Sequence, residues 1–476
     1  MIALTLADVA GATGGRVVVP DGIDATTLVV DGPVVTDSRE AAPGSLYVAR
    51  IGEHADGHDF VDGALERGAL AALVAHPVEG VPCVVVDDTE DAFGRLAREV
   101  VGRVPGLEVV GITGSSGKTS TKDLLGAVLS TVGPTVAPVG SYNSEVGVPL
   151  TVCRVEADTR FLVVEMGARG VGHIAHLTRV APPRVGVVLN VGTAHVGEFG
   201  SREAIARAKS ELVAALPADG LAVLNADDAA VRAMAAVTSA RVVLVGEADD
   251  ADLRATGITL DAGGHPTFTV ESTSARGVVS LGLVGRHHVG NALAVLAVAL
   301  ELGMPFDAAC AALGSARAAS RWRMEVTERA DGVTVVNDAY NANPDSMRAA
   351  LDALRQMGEG RRTWAVLGTM LELGAESAAL HAQVGADAVA HGVDELLVVG
   401  EAAGALADGA RTAGATASEN AGAARTRTRL VPDADAAETL LREELRAGDV
   451  VLFKSSRDAG LRLLGDRLAG PREELT

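Results

Sequence analysis

Apolar, β-branched runs alternating with helix-length segments constrain this chain more than any other feature. From Val109–Thr113 onward, runs at Phe161–Glu165, Val185–Asn190, Leu221–Asn225 and Arg241–Val245 are separated by helical patterns, one starting at Lys118 and one over Ser201–Leu216. Such alternation predicts a parallel sheet with helical crossovers. Residues 253–284 break the rhythm. Short alternating runs at Ile258–Leu260, Thr267–Val270 and Gly277–Leu281 predict an antiparallel patch, and an Ala-rich helix follows over His288–Leu302. A second series, Val333–Asn337, Thr363–Leu367, Glu395–Val399 and Asp449–Phe453 with helices between, predicts a smaller Rossmann-like domain. The Ala/Gly-rich stretch 401–426 reads as helix plus loop. Ahead of both series lie β-like runs at Leu28–Val30, Ser45–Val48 and Cys83–Asp87, helix-like stretches at Val61–Gly68 and Ala92–Val101, and a linker at Arg103-Val104-Pro105-Gly106. The expected architecture is α/β in three domains: an N-terminal α/β domain (1–105), a central, mostly parallel sheet (106–318) and a C-terminal Rossmann-like domain (319–476). A length of 476 residues suits that count.

Composition narrows the partners. A net charge of −21 repels phosphate backbones, so nucleic acid is not an expected partner, and an anionic ligand would need positive charge concentrated in a cleft. Cys83, Cys153 and Cys310 are far apart and read as buried free thiols in a reducing compartment. The opening residues lack a basic leader region, and apolar runs such as Ala292–Leu300 are too short to span a bilayer. A cytoplasmic location with no membrane partner is therefore expected. Of 41 basic residues only four are lysine: Lys118, Lys122, Lys209 and Lys454. Against that bias, each lysine is a candidate for a task that guanidinium cannot perform.

The strongest local signal is Val109-Val110-Gly111-Ile112-Thr113-Gly114-Ser115-Ser116-Gly117-Lys118-Thr119. An apolar strand enters a glycine-rich turn and a helix begins at Lys118. In such a turn backbone N–H groups and the positive helix end hold phosphate oxygens; Lys118 would reach the β/γ-phosphates, and the Thr119 hydroxyl would ligate Mg²⁺. Ile112 stands where the strict phosphate-loop pattern has glycine, so this is the shorter form, Thr113-Gly-Ser-Ser-Gly-Lys-Thr119. Alone, the loop leaves kinase, NTPase and ligase open.

Glu165 ends one buried strand and His195 lies just past the next, in Val187–His195. The carboxyl ends of parallel strands face the ligand crevice, so both are expected near Thr119. Lys209 follows on a helix, in Ala206-Arg-Ala-Lys-Ser-Glu211. A bare ammonium does not ligate a cation. A carbamylated Lys209 would, and that modification requires a primary amine.

Thr113–Thr119, Glu165, His195 and Ala208-Lys-Ser-Glu211 occur here in the order of the Mur ligase family, which also includes folylpolyglutamate synthases, and the chain resembles that family over nearly its whole length. The resemblance implies ATP and two Mg²⁺ ions, one near Thr119 and Glu165, the other near His195 and carbamylated Lys209. Gly285–Leu293 resembles a helix start in which Asn291 serves the adenine, with His288 in place of the family's first Asn. Arg323, in Arg321–Glu325, resembles the arginine that helps hold the γ-phosphate. Asn337–Pro344 resembles a nucleotide-facing element of the C-terminal domain, implicating Asp338, Tyr340 and Asn341.

The N-terminal domain resembles a UDP-substrate-binding domain through Asp37-Ser38-Arg39, Gly44–Val48 and Asp56–Phe60, implicating Ser38, Arg39, Asp56, Gly57 and His58. Gly140–Pro149 resembles a substrate element that keeps only Asn143 of three asparagines, with Ser141 and Ser144 at the others. Arg169 and Thr369 are further departures, and Lys454 fits a late motif that meets anionic substrate. The run at Asp338–Pro344 resembles the members that add a dipeptide. The implied activity is an ADP-forming ligase of cell-wall (peptidoglycan) synthesis joining D-alanyl-D-alanine to UDP-N-acetylmuramoyl-tripeptide, as a monomer, with the C-terminal domain swinging in to close the cleft. The nearest alternative adds the third residue to a UDP-muramoyl-dipeptide. A P-loop NTPase switch is the alternative of another class and leaves the His195–Lys209 pair without a role.

Overall fold

The computed structural model describes residues 1–52, 55–193, 196–418 and 426–470. At its centre is a nine-stranded sheet in which strand β1 (Glu108–Thr113) lies between β2 (Phe161–Glu165) and β3 (Val185–Val188), all parallel. Helix α1 (Lys118–Leu129) follows β1, and α2 (Arg202–Ala214) follows β3. Register pairs Glu165 with Ile112 and Val188 with Thr113. The ends of β2 and β3 therefore sit level with the start of the glycine-rich turn, as the crevice argument requires. Ile112 is a buried strand residue whose carbonyl accepts from Met166 N. The turn proper begins two residues later, which is why the loop is short.

The antiparallel patch is present. Leu253–Leu260 pairs antiparallel with Pro266–Glu271, and that strand with Arg276–Ser280. Helix α3 (His288–Glu301) is buried on nearly every side, consistent with its unbroken run of Ala, Val and Leu.

The C-terminal domain is built on a six-stranded sheet whose middle strands include β4 (Thr334–Asn337) beside β5 (Val450–Lys454), in parallel. Helix α4 (Pro344–Met357) starts on a capping box formed by Asn343 and Ser346, with Pro344 in its first turn. Two edge strands, Glu325–Glu328 and Arg427–Val431, escape sequence reading. The second alternates arginine with smaller residues, and Arg429 is tied to Glu395 and Glu444 rather than to solvent alone. Five further strands, mostly parallel, form the N-terminal sheet.

Core packing divides the molecule unequally. One hydrophobic cluster runs without a break from Leu6, Leu73, Phe93 and Leu96 of the N-terminal domain to Val148, Leu162, Ile174 and Leu177 of the central sheet. The C-terminal sheet carries two further clusters on its two faces, one of which takes in Val284 of the central domain. Apolar cores weld the first two domains together, whereas the third meets them largely through polar contacts, the kind of interface across which domains move. Within the third domain, helices Ser377–Ala390 and Gly404–Ser418 pack backbone to backbone. A Cβ on Gly409 would lie 1.9 Å from the Ala382 carbonyl oxygen, and one on Gly385 would lie 1.9 Å from that of Leu406. Gly409→Ala is expected to destabilise the C-terminal domain by about 1–3 kcal/mol through overpacking. Calorimetry should show this as a lowered unfolding transition, and an unchanged transition would mean the helices separate freely.

Candidate active site

The end of β1, the start of α1, the ends of β2 and β3, the start of α3 and the first loops of the C-terminal domain surround a cleft of 720 Å³. Gly117 opens α1 with φ +81°, and a Cβ there would approach Asn291 Oδ1 to 2.9 Å, so only glycine fits. Asn190, just past β3, braces the turn: its Oδ1 accepts from Ser116 N at 2.9 Å and its Nδ2 donates to Ser116 O at 3.2 Å. Ser115 Oγ accepts from Gly192 N at 2.9 Å. Lys118 folds back to donate to Gly114 O at 2.8 Å, lying over the turn where a phosphate chain would sit.

Glu165 is buried and fully engaged. Its Oε2 accepts from the Thr119 hydroxyl at 2.9 Å, and its Oε1 accepts from Ser141 Oγ and Asn143 Nδ2, each at 2.7 Å. Hydroxyl, carboxylate and amide oxygens are the donor set that hard divalent cations take. Arg323 reaches across from the C-terminal domain and donates to Thr119 Oγ1 at 3.1 Å, with its guanidinium 4.3 Å over the Tyr340 ring. Among the described residues, two buried polar atoms here have no partner, Thr113 Oγ1 and Arg323 Nε. Unspent hydrogen-bonding capacity at the loop and at the arginine fits a site that receives phosphate and a divalent cation.

Asp338, Tyr340 and Asn341 also line the cleft. Lys454 is almost wholly buried, paired with Asp338 Oδ2 and donating to Asn341 O at 3.1 Å. Asn291 Nδ2 lies 3.3 Å from His288 Nδ1. On the central side Thr193 N donates to Asp345 Oδ2 at 2.9 Å, a second bridge between domains.

Lys209 projects from α2 into the cleft lining and is 4% exposed. His195 lies outside the described residues. Ser38, Arg39, Asp56, Gly57 and His58 are not among the cleft-lining residues. Arg39 pairs with Asp37, whose carboxyl is held at about 2 by that guanidinium. His58 is fixed between Asp56 Oδ1 and Ala75 N, and Gly57 packs against Arg50, which does reach the cleft. Sequence reading missed Asn190, Ser141 as a partner of Glu165, Asp345 and Arg50. Only Asn190 carried a signal, an amide at the end of a buried strand beside the phosphate turn.

Burial sets the electrostatics. It holds the Lys209 amine well below the usual lysine range, helped by the Lys118 ammonium. Burial also lowers Lys118, opposed by Glu165 and reinforced by Arg323. His288, buried at the start of α3, is depressed by burial as well.

A phosphate turn and a cation-ready carboxylate in one domain, met by an arginine from another, define an enzyme that holds a nucleoside triphosphate across a domain boundary. Residues 112–299 match the Mur ligase middle domain, 322–457 the Mur ligase glutamate ligase domain and 33–100 the Mur ligase family catalytic domain. The chain is 48% identical to the UDP-N-acetylmuramoyl-tripeptide--D-alanyl-D-alanine ligase of Mycobacterium tuberculosis, over 98% of both chains. Its fold superposes on the crystal structure of MurF from Acinetobacter baumannii with a TM-score of 0.86 at 30% identity, covering 98% of this chain and 99% of that one. It superposes on MurF ligase from Thermotoga maritima in complex with ADP with a TM-score of 0.79 at 30% identity, covering 93% and 98%. The chain belongs to the Mur ligase family.

The depressed Lys209 amine has a consequence for stability. Its folded pKa lies below the unfolded value of about 10.4, so the unfolded chain binds the extra proton and the cost of burying Lys209 is largest at low pH. That cost fades as pH rises toward the unfolded value. In CO₂-free buffer, Lys209→Met should raise Tm more at pH 7 than at pH 10. A gain independent of pH would show that the amine is not held neutral.

Proposed function

We infer that the chain is an ATP-dependent, ADP-forming ligase that joins D-alanyl-D-alanine to UDP-N-acetylmuramoyl-tripeptide in peptidoglycan synthesis, acting as a cytoplasmic monomer. The observation that carries this reading is the meeting of Thr119, Glu165 and Arg323 from two domains around a single cleft. The relatives' printed activity and the 98% coverage of both chains support the choice of substrates. Among the described residues no helix is long and apolar enough to cross a membrane. Residues 1–105 are taken to bind the uridine nucleotide, 106–318 ATP, and 319–476 to complete the site.

The chemistry needs help at two points. A carboxylate is a poor electrophile. It attacks the γ-phosphorus, ADP leaves, and an acyl phosphate results. The amine of D-alanyl-D-alanine then attacks the acyl carbon, and phosphate leaves. The first step brings two anions together. Lys118 and Arg323 supply fixed positive charge where they meet, and the turn N–H groups hold the phosphate chain. Thr119 and Glu165 would hold one Mg²⁺, and His195 with carbamylated Lys209 a second. Magnesium ions, when bound, offset the charge of the phosphate oxygens. Asn291 would contact adenine, and Asp338, Tyr340 and Asn341 approach the nucleotide from the C-terminal side. Asn143 and Lys454 face the peptide end, while Ser38, Arg39, Asp56, Gly57 and His58 would serve the uridine nucleotide away from the cleft. The bridges from Arg323 and Asp345 let the C-terminal domain shut water out, and an acyl phosphate requires that exclusion.

The carbamate reading gains support from the state of Lys209. A neutral amine adds to CO₂ with loss of one proton, giving a carboxylate on a long stem, and burial favours the neutral amine. Lys209→Arg should abolish turnover, because a guanidinium offers no neutral amine to carry the carbamate. Lys209→Ala should regain partial activity with added short carboxylic acids, as measured by phosphate release. Near-normal turnover of Lys209→Arg would remove the carbamate from the mechanism.

Phosphate release should depend on UDP-N-acetylmuramoyl-tripeptide together with D-alanyl-D-alanine. It should be absent with UDP-dipeptide plus diaminopimelate or lysine. The reverse pattern would move the chain to the ligases that add the third residue.

A further inference from the structure

Lys122 is the one lysine that the mechanism leaves without a task. It is 2% exposed, on the first turns of α1, and its Nζ is shared between Asp123 Oδ1 and the Pro138 carbonyl oxygen. Asp123 turns its other oxygen outward, and Oδ2 accepts from Ser320 N at 2.9 Å. Ser320 lies in the segment that leaves the central domain, and its hydroxyl accepts from Gly140 N at 3.1 Å. Lys122, Asp123 and Ser320 are all buried.

Each contact leads to a different arm of the active site. Asp123 sits one helical turn beyond Thr119 on α1. The 138–140 segment runs directly into Ser141 and Asn143, which orient Glu165. Ser320 is three residues before Arg323, which donates to Thr119. On either side of Arg323 the backbone is constrained. Trp322 and Met324 adopt φ of +58° and +51°, values that side chains disfavour, held by Trp322 N to Glu325 and by Met324 N to Asp338 Oδ1. A buried ion pair contributes little net stability compared with apolar residues of the same shape, so stability alone is a weak reason for this one. Direction is a better reason: a carboxylate fixed by one cation presents its second oxygen at a defined point.

We propose that the Lys122–Asp123 pair is the anchor of the inter-domain linker, fixing Ser320 and thereby setting Arg323 against Thr119 when the C-terminal domain is closed. Both are positioning residues. The proposal rests on the reading that Arg323 and Thr119 serve the triphosphate.

The double variant Lys122→Met/Asp123→Leu replaces the pair with apolar residues and leaves Ser320 N without its acceptor. Tm should stay within a few degrees of the parent, as expected for an apolar replacement of a buried pair. ADP affinity by titration calorimetry should change by less than about threefold, while kcat falls by about tenfold or more, the scale expected for a reacting group displaced by a fraction of an ångström. Trypsin cleavage after the exposed Arg317 and Arg321 should accelerate in the folded variant. Turnover and cleavage both within about twofold of the parent would overturn the anchor, and faster cleavage with unchanged kcat would overturn its positioning role. If the double variant does not fold, Asp123→Asn decides. Its amide keeps an oxygen for Lys122 and turns its NH₂ toward Ser320 N, so the linker loses its acceptor at constant side-chain size; a fall in kcat without a change in Tm supports the proposal and an unchanged kcat rejects it. Absence of ligase activity in the parent would count against the function, while the cleavage rates would still report on the anchor.

Discussion

A carboxylate buried at the end of a strand must be satisfied on every side, and Glu165 is satisfied by three donors from two segments at once. The Thr119 hydroxyl comes from the helix after the phosphate turn, and Ser141 and Asn143 come from the loop that precedes β2 in sequence. Satisfying the group thus fixes the phosphate turn, the substrate loop and the sheet in one geometry. It also keeps acidic oxygens ready beside the turn, where a divalent cation would exchange hydrogen bonds for coordination. Ser141 stands where the family pattern has asparagine, and its hydroxyl donates to Glu165.

That fixed geometry belongs to a rigid body, and the third domain does not. The N-terminal and central domains share a continuous apolar cluster, so separating them would expose a core. The C-terminal domain is built around two further clusters and reaches the cleft with polar groups: Arg323 to Thr119, and Asp345 to Thr193 N. Polar bonds of this kind suit a contact that can part without exposing a core, and their placement brings an arginine of one domain to the phosphate turn of another. A chain with a net charge of −21 can gather anions only if its cations converge, and Lys118 and Arg323 do so from two domains.

Much of this was legible in the residues. Apolar runs marked the strands of the central sheet because those strands are covered on both faces. The phosphate turn was legible because strand, glycine, lysine and threonine occur in a fixed order. The edge strands Glu325–Glu328 and Arg427–Val431 were not, since an edge strand with one wet face carries charge and loses the apolar signature. Asp345 and Ser141 were hidden for a different reason: their partners lie far away in sequence, and nothing local distinguishes a helix-start aspartate that caps its own chain from one that bridges two domains. The substrate residues expected in the N-terminal domain fall in a local network, Arg39 with Asp37 and His58 with Asp56, away from the cleft. A motif reveals which residues recur, not which face they share.

The scarcity of lysine acquires a structural meaning in the same way. Three of the four donate to backbone carbonyls in confined places: Lys118 to Gly114, Lys122 to Pro138 and Lys454 to Asn341. A guanidinium is broad, planar and resists fitting its five donors into such spaces, whereas an ammonium is compact and turns its donors to whatever oxygens surround it. Lys209 differs in kind. It is buried next to another cation, so its amine is driven toward the neutral form, which guanidinium does not reach. Where composition pushes almost every cation to arginine, the surviving amines sit where small size or a releasable proton matters: Lys118, Lys209 and Lys454 line the cleft, and Lys122 ties the helix after the phosphate turn to the 138–140 segment.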